Sequence, residues 1–216
     1  MSRDSDLQLA VLAELNWEPS IVAAHIGVTA QEGVVTLSGH VDSFMQKHTA
    51  QDAARRVKGV HAVAEELEVK LAFDHQRGDD DIAAAALDRL AWDVSVPRDA
   101  IVLNVDQGWV TMTGNVDWHF QTEAAEEAIR PLAGVVGISN QVIIKPRVST
   151  TNIVDNIMHA LHRSWFFDPH RITVSAQDGD VRLTGVVTSW HDRRVAAETA
   201  WAAPGVTNVA NDISVA

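Results

Sequence analysis

Along the first third of the chain the spacing of apolar residues changes twice. Leu7, Val11, Leu12 and Leu15 recur every three or four positions, which predicts one face of an amphipathic helix. After a loop the spacing becomes alternation, through Ile26, Val28 and Ala30 and then Val35, Leu37 and Val41, which predicts two half-buried strands. The segment QEG at 31–33 joins them, and three linking residues ending in glycine predict a hairpin with a type I turn and a left-handed glycine. A second helical phase follows with small inner residues, Ala50, Ala53, Ala54 and Val57. It opens at Ser43 with Gln46 three positions on, close to a capping box, and Gly59 ends it as a left-handed cap. Val63, Leu67 and Val69 predict a third strand.

The same pattern returns twice. Gly33, Gly39 and Gly59 recur 75 positions later as Gly108, Gly114 and Gly134, and a further 71 later as Gly179, Gly185 and Gly205. Nine of the twelve glycines keep this register, so the chain is an internal repeat. The first helix recurs at Ile82, Ala86 and Leu90 and at Ile153, Ile157 and Leu161; strand two recurs at Val110, Met112 and Val116 and at Val181, Leu183 and Val187. A repeat of roughly 70 residues is long enough for a core of its own. The predicted fold class is α+β: three tandem α-β-β-α-β modules, each a three-stranded mixed sheet with two helices on one face, over residues 1–71, 78–146 and 149–216. Alternation places the strand-two glycines on the buried face, where a missing side chain lets a helix approach. Asp4 or Ser5, Asp79 to Asp81, and Thr150 to Asn152 stand at predicted helix starts, where they suit orphan amides and the positive dipole end.

The strand-two segment VVTLSGHV at 34–41, with GVHAV at 59–63, resembles the BON family, named for bacterial osmotic-shock and nodulation proteins. The third repeat is equally close, with VRLTGVV at 181–187 and GVTNVANDI at 205–213. The resemblance implies an α+β module, often in tandem, found in stress-associated envelope proteins and proposed to bind phospholipid or hold proteins at membranes. It implies no catalytic residues. Glu65 stands where the other repeats have Asn140 and Asn211, a position that reads as structural, bonding backbone near the sheet end.

Charge narrows the choice of partner. The formal net charge is −12, and Lys plus Arg against Asp plus Glu number 6 against 10, 6 against 12 and 5 against 7 in residues 1–71, 72–147 and 148–216. Such a surface repels phosphate-rich polymers, so no nucleic acid is expected as partner, and membrane phospholipid is disfavoured. Zero cysteines exclude disulfides and thiolate chemistry. The first residues carry no cationic stretch followed by an apolar run, and no segment nears the ~18 apolar residues of a membrane span, so the expected location is cytoplasmic.

Seven tryptophans with no tyrosine stand out. Trp17, Trp92 and the run Trp165, Phe166 and Phe167 all fall between helix one and strand one, and Trp118 and Trp190 follow strand two. They are candidate contacts for a protein or lipid partner, although the burial tendency of aromatics favours their closing the end of each core. Asp155, His159 and His162 share a helical face, but an exposed polar face explains them without a metal. No nucleophile with a base, carboxylate pair or phosphate loop is found, so no catalytic residue, cofactor or metal ligand is assigned. The expected function is a non-catalytic, stress-associated protein that binds a protein partner or self-associates. The alternatives are a peripheral phospholipid-binding protein and a small-ligand or cation sensor.

Overall fold

The computed structural model describes residues 3–145, 152–163 and 171–215. Three modules follow one another in the order helix, strand, strand, helix, strand. The first holds α1 (Arg3–Trp17), β1 (Ile26–Gln31), β2 (Val34–Val41), α2 (Phe44–Arg56) and β3 (Ala62–Val69). The second holds α3 (Asp79–Trp92), β4 (Ile101–Asp106), β5 (Trp109–Val116), α4 (His119–Ile129) and β6 (Gly137–Ile144). The third holds α5 (Ile153–His162), β7 (Ile172–Gln177), β8 (Asp180–Val187), α6 (Trp190–Trp201) and β9 (Asn208–Val215). Each module has its own three-stranded sheet, ordered β1-β2-β3, β4-β5-β6 and β7-β8-β9. The joint at 72–78 contains a short 3-10 turn, Phe73–His75; the joint at 146–149 lies outside the described residues.

In the first module β1 pairs antiparallel with β2 from Ile26 opposite Gly39 to Gln31 opposite Val34, and β2 pairs parallel with β3 from Val34 opposite Ala62 to Val41 opposite Val69. The third module repeats both registers, with Ile172 opposite Gly185 and Asp180 opposite Asn208. Antiparallel pairing needs only a tight turn, whereas the parallel pair needs the crossover that α2 supplies. Val11 and Leu15 of α1, Val28, Val35 and Leu37 of the sheet, and Ala50, Ala53 and Ala54 of α2 form one buried cluster. Each fully buried branched side chain contributes about 1.5–3 kcal/mol. The alanines on α2 keep that helix close to the strands.

Three local features differ from the sequence expectation. First, the hairpins turn on two residues, not three. Gln31 pairs with Val34, and both Glu32 (φ 49°) and Gly33 (φ 82°) are left-handed, the pattern of a type I′ turn. Gln107 and Asp178 repeat the conformation. A non-glycine residue there is strained, and the start of helix one ties it down. Asp4 Oδ1 accepts the Glu32 amide at 2.9 Å, and Asp79 accepts the Gln107 and Gly108 amides at 2.9 and 2.8 Å. Second, helix two ends before its glycine. The α2 helix stops at Arg56, and Gly59 (φ 95°) is the third residue of a separate turn closed by Val60 N–H on Val57 O at 3.2 Å.

Third, the strand-two glycines do not face the core: Gly39 is exposed, and Gly114 and Gly185 are half-buried. Their φ values are 114°, 137° and 140°, and a β-carbon at each would collide with a backbone carbonyl, that of His25, Ala100 and Arg171 respectively. The close approach is to the backbone leading into strand one, not to a helix.

The position of Glu65, Asn140 and Asn211 is structural, as its spacing indicated. Each side chain accepts the amide two residues on: Leu67 at 2.6 Å, Val142 at 3.2 Å and Ile213 at 3.3 Å. Asn211 and Asn140 also donate to helix-two carbonyls, those of Arg193 at 3.0 Å and Thr122 at 3.5 Å. A carboxylate cannot donate, and in the first module the link between helix two and strand three runs through Lys47 instead. Its ammonium lies 3.0 Å from Glu65 and donates to Leu67 O at 2.8 Å. Position 65 is therefore not simply solvated charge.

Two expectations follow from these contacts. Gly39→Ala destabilises the first module by about 2–3 kcal/mol, read as lost hydrogen-exchange protection of β1 and β2 amides, because it adds a collision to an already left-handed backbone. Lys47→Ala costs about 1–2 kcal/mol by leaving the half-buried Glu65 carboxylate without its cation. Adding Glu65→Asn recovers most of that loss, since the amide bonds the helix carbonyl directly; urea unfolding of the single and double variants measures this.

Candidate functional site

Helical phase decides where the helix-one tryptophans point. Leu7, Val11 and Leu15 are the buried residues of α1, and Ile82, Ala86 and Leu90 those of α3. Trp17 and Trp92 come two residues after the last of these, about 200° around the helix from the core stripe. They are the final residues of α1 and α3, and they are 85% and 87% exposed. Neither closes a core, contrary to the burial tendency of the residue type. Ile21 and Val96, in the loops that follow, are buried instead.

Each tryptophan is followed in the chain by an acidic residue, Glu18 and Asp93. Beside Trp17, Arg56 of α2 bridges Glu14 at 3.0 Å and Glu18 at 3.3 Å. The Ser20 hydroxyl donates to Glu18 at 2.8 Å. The two Ser20 bonds hold the Glu18 carboxyl below the usual range; desolvation opposes them, and Arg56 adds to the lowering. Beside Trp92, Asp93 accepts the Ser95 amide at 2.8 Å, which shapes the loop as an Asx turn.

The other aromatics divide by environment. Trp118 and Trp190 are half-buried beside the starts of α4 and α6; the Trp118 amide donates to Gln121 at 3.1 Å, and the Arg193 guanidinium lies 5.3 Å from the Trp190 ring centroid. Trp165, Phe166 and Phe167 lie outside the described residues. Two further tryptophans have surroundings that spacing did not indicate. Trp109 of β5 is 50% exposed and lies across Gly137, in the space a side chain there would occupy. Trp201 stacks on His119 with ring centroids 3.8 Å apart. Burial holds the His119 imidazole below its ordinary value, opposed by Glu126.

A cavity of about 580 Å³ opens at the hairpin end of the first module between Arg3, Asp6, Lys58 and His61. It mixes charges of both signs, and Asp4 at its wall is bonded to the turn. Among the described residues no group of three or more His, Asp or Glu converges as a metal site, and no helix is long and apolar enough to cross a membrane.

Known proteins place this architecture. The BON domain model matches residues 3–70, 78–146 and 149–216. Osmotically-inducible protein Y of Escherichia coli (strain K12) is 30% identical over 146 residues, which make up 66% of this chain and 73% of that protein. Among solved structures, CdsD, a structural protein of the type III secretion system of Chlamydia trachomatis, is 16% identical, with 98% of this chain and 92% of that one covered. Its TM-score of 0.27 is too low to carry a structural parallel.

Because both indoles stand in solvent, the double variant Trp17→Ser, Trp92→Ser keeps its thermal midpoint within about 2 °C of the parent, surface changes away from packed features being nearly neutral. A scanning calorimetry loss of several degrees places the two rings in a core after all.

Proposed function

The chain belongs to the BON domain family, and from that premise we propose that it is a non-catalytic, stress-associated binding protein whose modules engage a protein partner or a second copy of the chain. One observation carries this reading. Trp17 and Trp92 occupy the same repeat position in two modules and are both exposed. An exposed large aromatic has nothing to gain from water, and tryptophan is the residue type most enriched among the anchors of protein interfaces. Its recurrence at one position separates it from the scattered apolar residues of any surface.

Similarity to the osmotically-inducible protein Y of Escherichia coli supports a connection with osmotic stress. Adherence to an anionic membrane is the weaker alternative. The exposed indoles could insert, but the chain carries −12 and would meet a negative leaflet with repulsion on every side of them.

Affinity capture from osmotically stressed cells, with the full chain and the Trp17→Ser, Trp92→Ser variant as baits, tests the reading. A partner, or the chain itself, recovered by the parent and lost by the variant is the expected result. Flotation with phosphatidylglycerol vesicles at physiological salt is expected to be negligible. Robust flotation that disappears in the double variant replaces protein binding with membrane binding.

A further inference from the structure

Resting on the reading of these modules as protein-binding, we infer that Trp17 and Trp92 receive a cationic surface: a lysine- or arginine-rich segment of a partner protein. Three negative features meet at each ring. The indole face carries the negative lobe of its quadrupole, which attracts ammonium and guanidinium groups. Each ring is on the last residue of a helix, at the negative pole of the macrodipole; α1 has no basic residue in its last turn, and α3 has one, Arg89. Carboxylates then outnumber cations locally. Glu14 and Glu18 share the single Arg56 near Trp17, and Asp88 and Asp93 flank Trp92 with Arg89 between them.

The third module supplies the internal contrast. At the repeat offset of 71, the position of Trp92 is taken by Arg163, and the last turn of α5 carries His159 and His162. An arginine at that position offers a cation no ring face, so the contrast lies in the residue itself and not in the basic side chains of the last turn, since α3 carries Arg89 there. Trp165, Phe166 and Phe167 of the third module lie outside the described residues, so the surface is drawn from the first two modules, which are also the most acidic.

Other occupants fit less well. A phosphate-bearing ligand would be repelled by both the carboxylates and the carbonyl ends. A purely apolar segment would cover the ring while desolvating the neighbouring carboxylates and offering them no further cation, which is costly. A cationic segment satisfies ring, dipole and carboxylate together.

The test uses the full chain with an oligolysine peptide, and with oligoglutamate and phosphatidylcholine vesicles as contrasting probes, followed by calorimetry and by the indole N–H resonances of the tryptophans. Oligolysine is expected to move the Trp17 and Trp92 resonances. The Trp17→Ser, Trp92→Ser variant keeps the net charge and is expected to bind oligolysine about tenfold more weakly, as two exposed cation–π contacts warrant. Trp17→Phe with Trp92→Phe, which restores an aromatic face, is expected to recover most of the loss. Binding of oligolysine to the serine variant within about twofold of the parent overturns the inference, since attraction is then net charge alone. So does movement of the two resonances by oligoglutamate or by the vesicles in place of oligolysine. If oligolysine fails but capture of a cellular partner still requires the two tryptophans, the cationic inference falls and the binding reading stands. Capture that ignores them overturns the binding reading itself.

Discussion

The backbone of each module depends on one close approach. The carbonyl leading into strand one occupies the space where strand two would carry a β-carbon, at Gly39, Gly114 and Gly185. In the first and third modules this sets Ile26 opposite Gly39 and Ile172 opposite Gly185. A slip of one residue would turn Val28, Val35 and Leu37 from the helices to the bare face. At the far end of the same hairpin the register closes on a two-residue turn whose first member is a strained non-glycine, held in the first two modules by the opening aspartate of helix one. Helix one is therefore pinned to the sheet at its start, and its phase over the core determines what its end presents.

Much of this was legible because period and glycine spacing report backbone requirements directly. Helix positions such as Leu7, Val11 and Leu15, strand positions such as Val35 and Leu37, and left-handed Gly33, Gly108 and Gly179 all follow from residue type and interval. What escaped depends on through-space partners. Alternation alone put Gly39 on the buried face, but its actual neighbour is the His25 carbonyl, which pattern does not encode. Burial statistics favoured an interior for Trp17 and Trp92, yet the α1 and α3 periodicity already contained the answer: both lie out of phase with Leu15 and Leu90. Phase within a known helix outweighs the average habit of a residue type.

The three modules solve common structural problems with different residues. Lys47 with Glu65, Thr122 with Asn140 and Arg193 with Asn211 all tie helix two to strand three, two through a donating amide and one through an ammonium. The strand carbonyl of Leu67 is served by Lys47 and that of Ile213, its counterpart in the third module, by Arg193, while the asparagine amides serve helix-two carbonyls in the second and third. No such compensation links Trp17, Trp92 and Arg163, which share a repeat position and differ in charge and shape. Nothing in the fold requires a tryptophan there, since the ring is outside the core in both modules that carry it. Folding explains the covarying positions; it leaves these three to be explained by what they meet.

Two exposed anchors on one chain also change what weak contacts can accomplish. A single cation–π contact at an exposed site contributes about 0.5–1 kcal/mol, too little to hold a partner against the freedom lost on binding. When two such sites share a chain, the second engages at an effective concentration set by the link between them, and affinity rises without any new kind of contact. The link here, 72–78, includes a 3-10 turn and ends at Gly78 before α3. A long basic segment that reaches both rings would gain from this arrangement; a small cation would touch only one and gain nothing. Repetition of the module thus favours a polymeric cationic partner over a small one, even though each site taken alone would accept either.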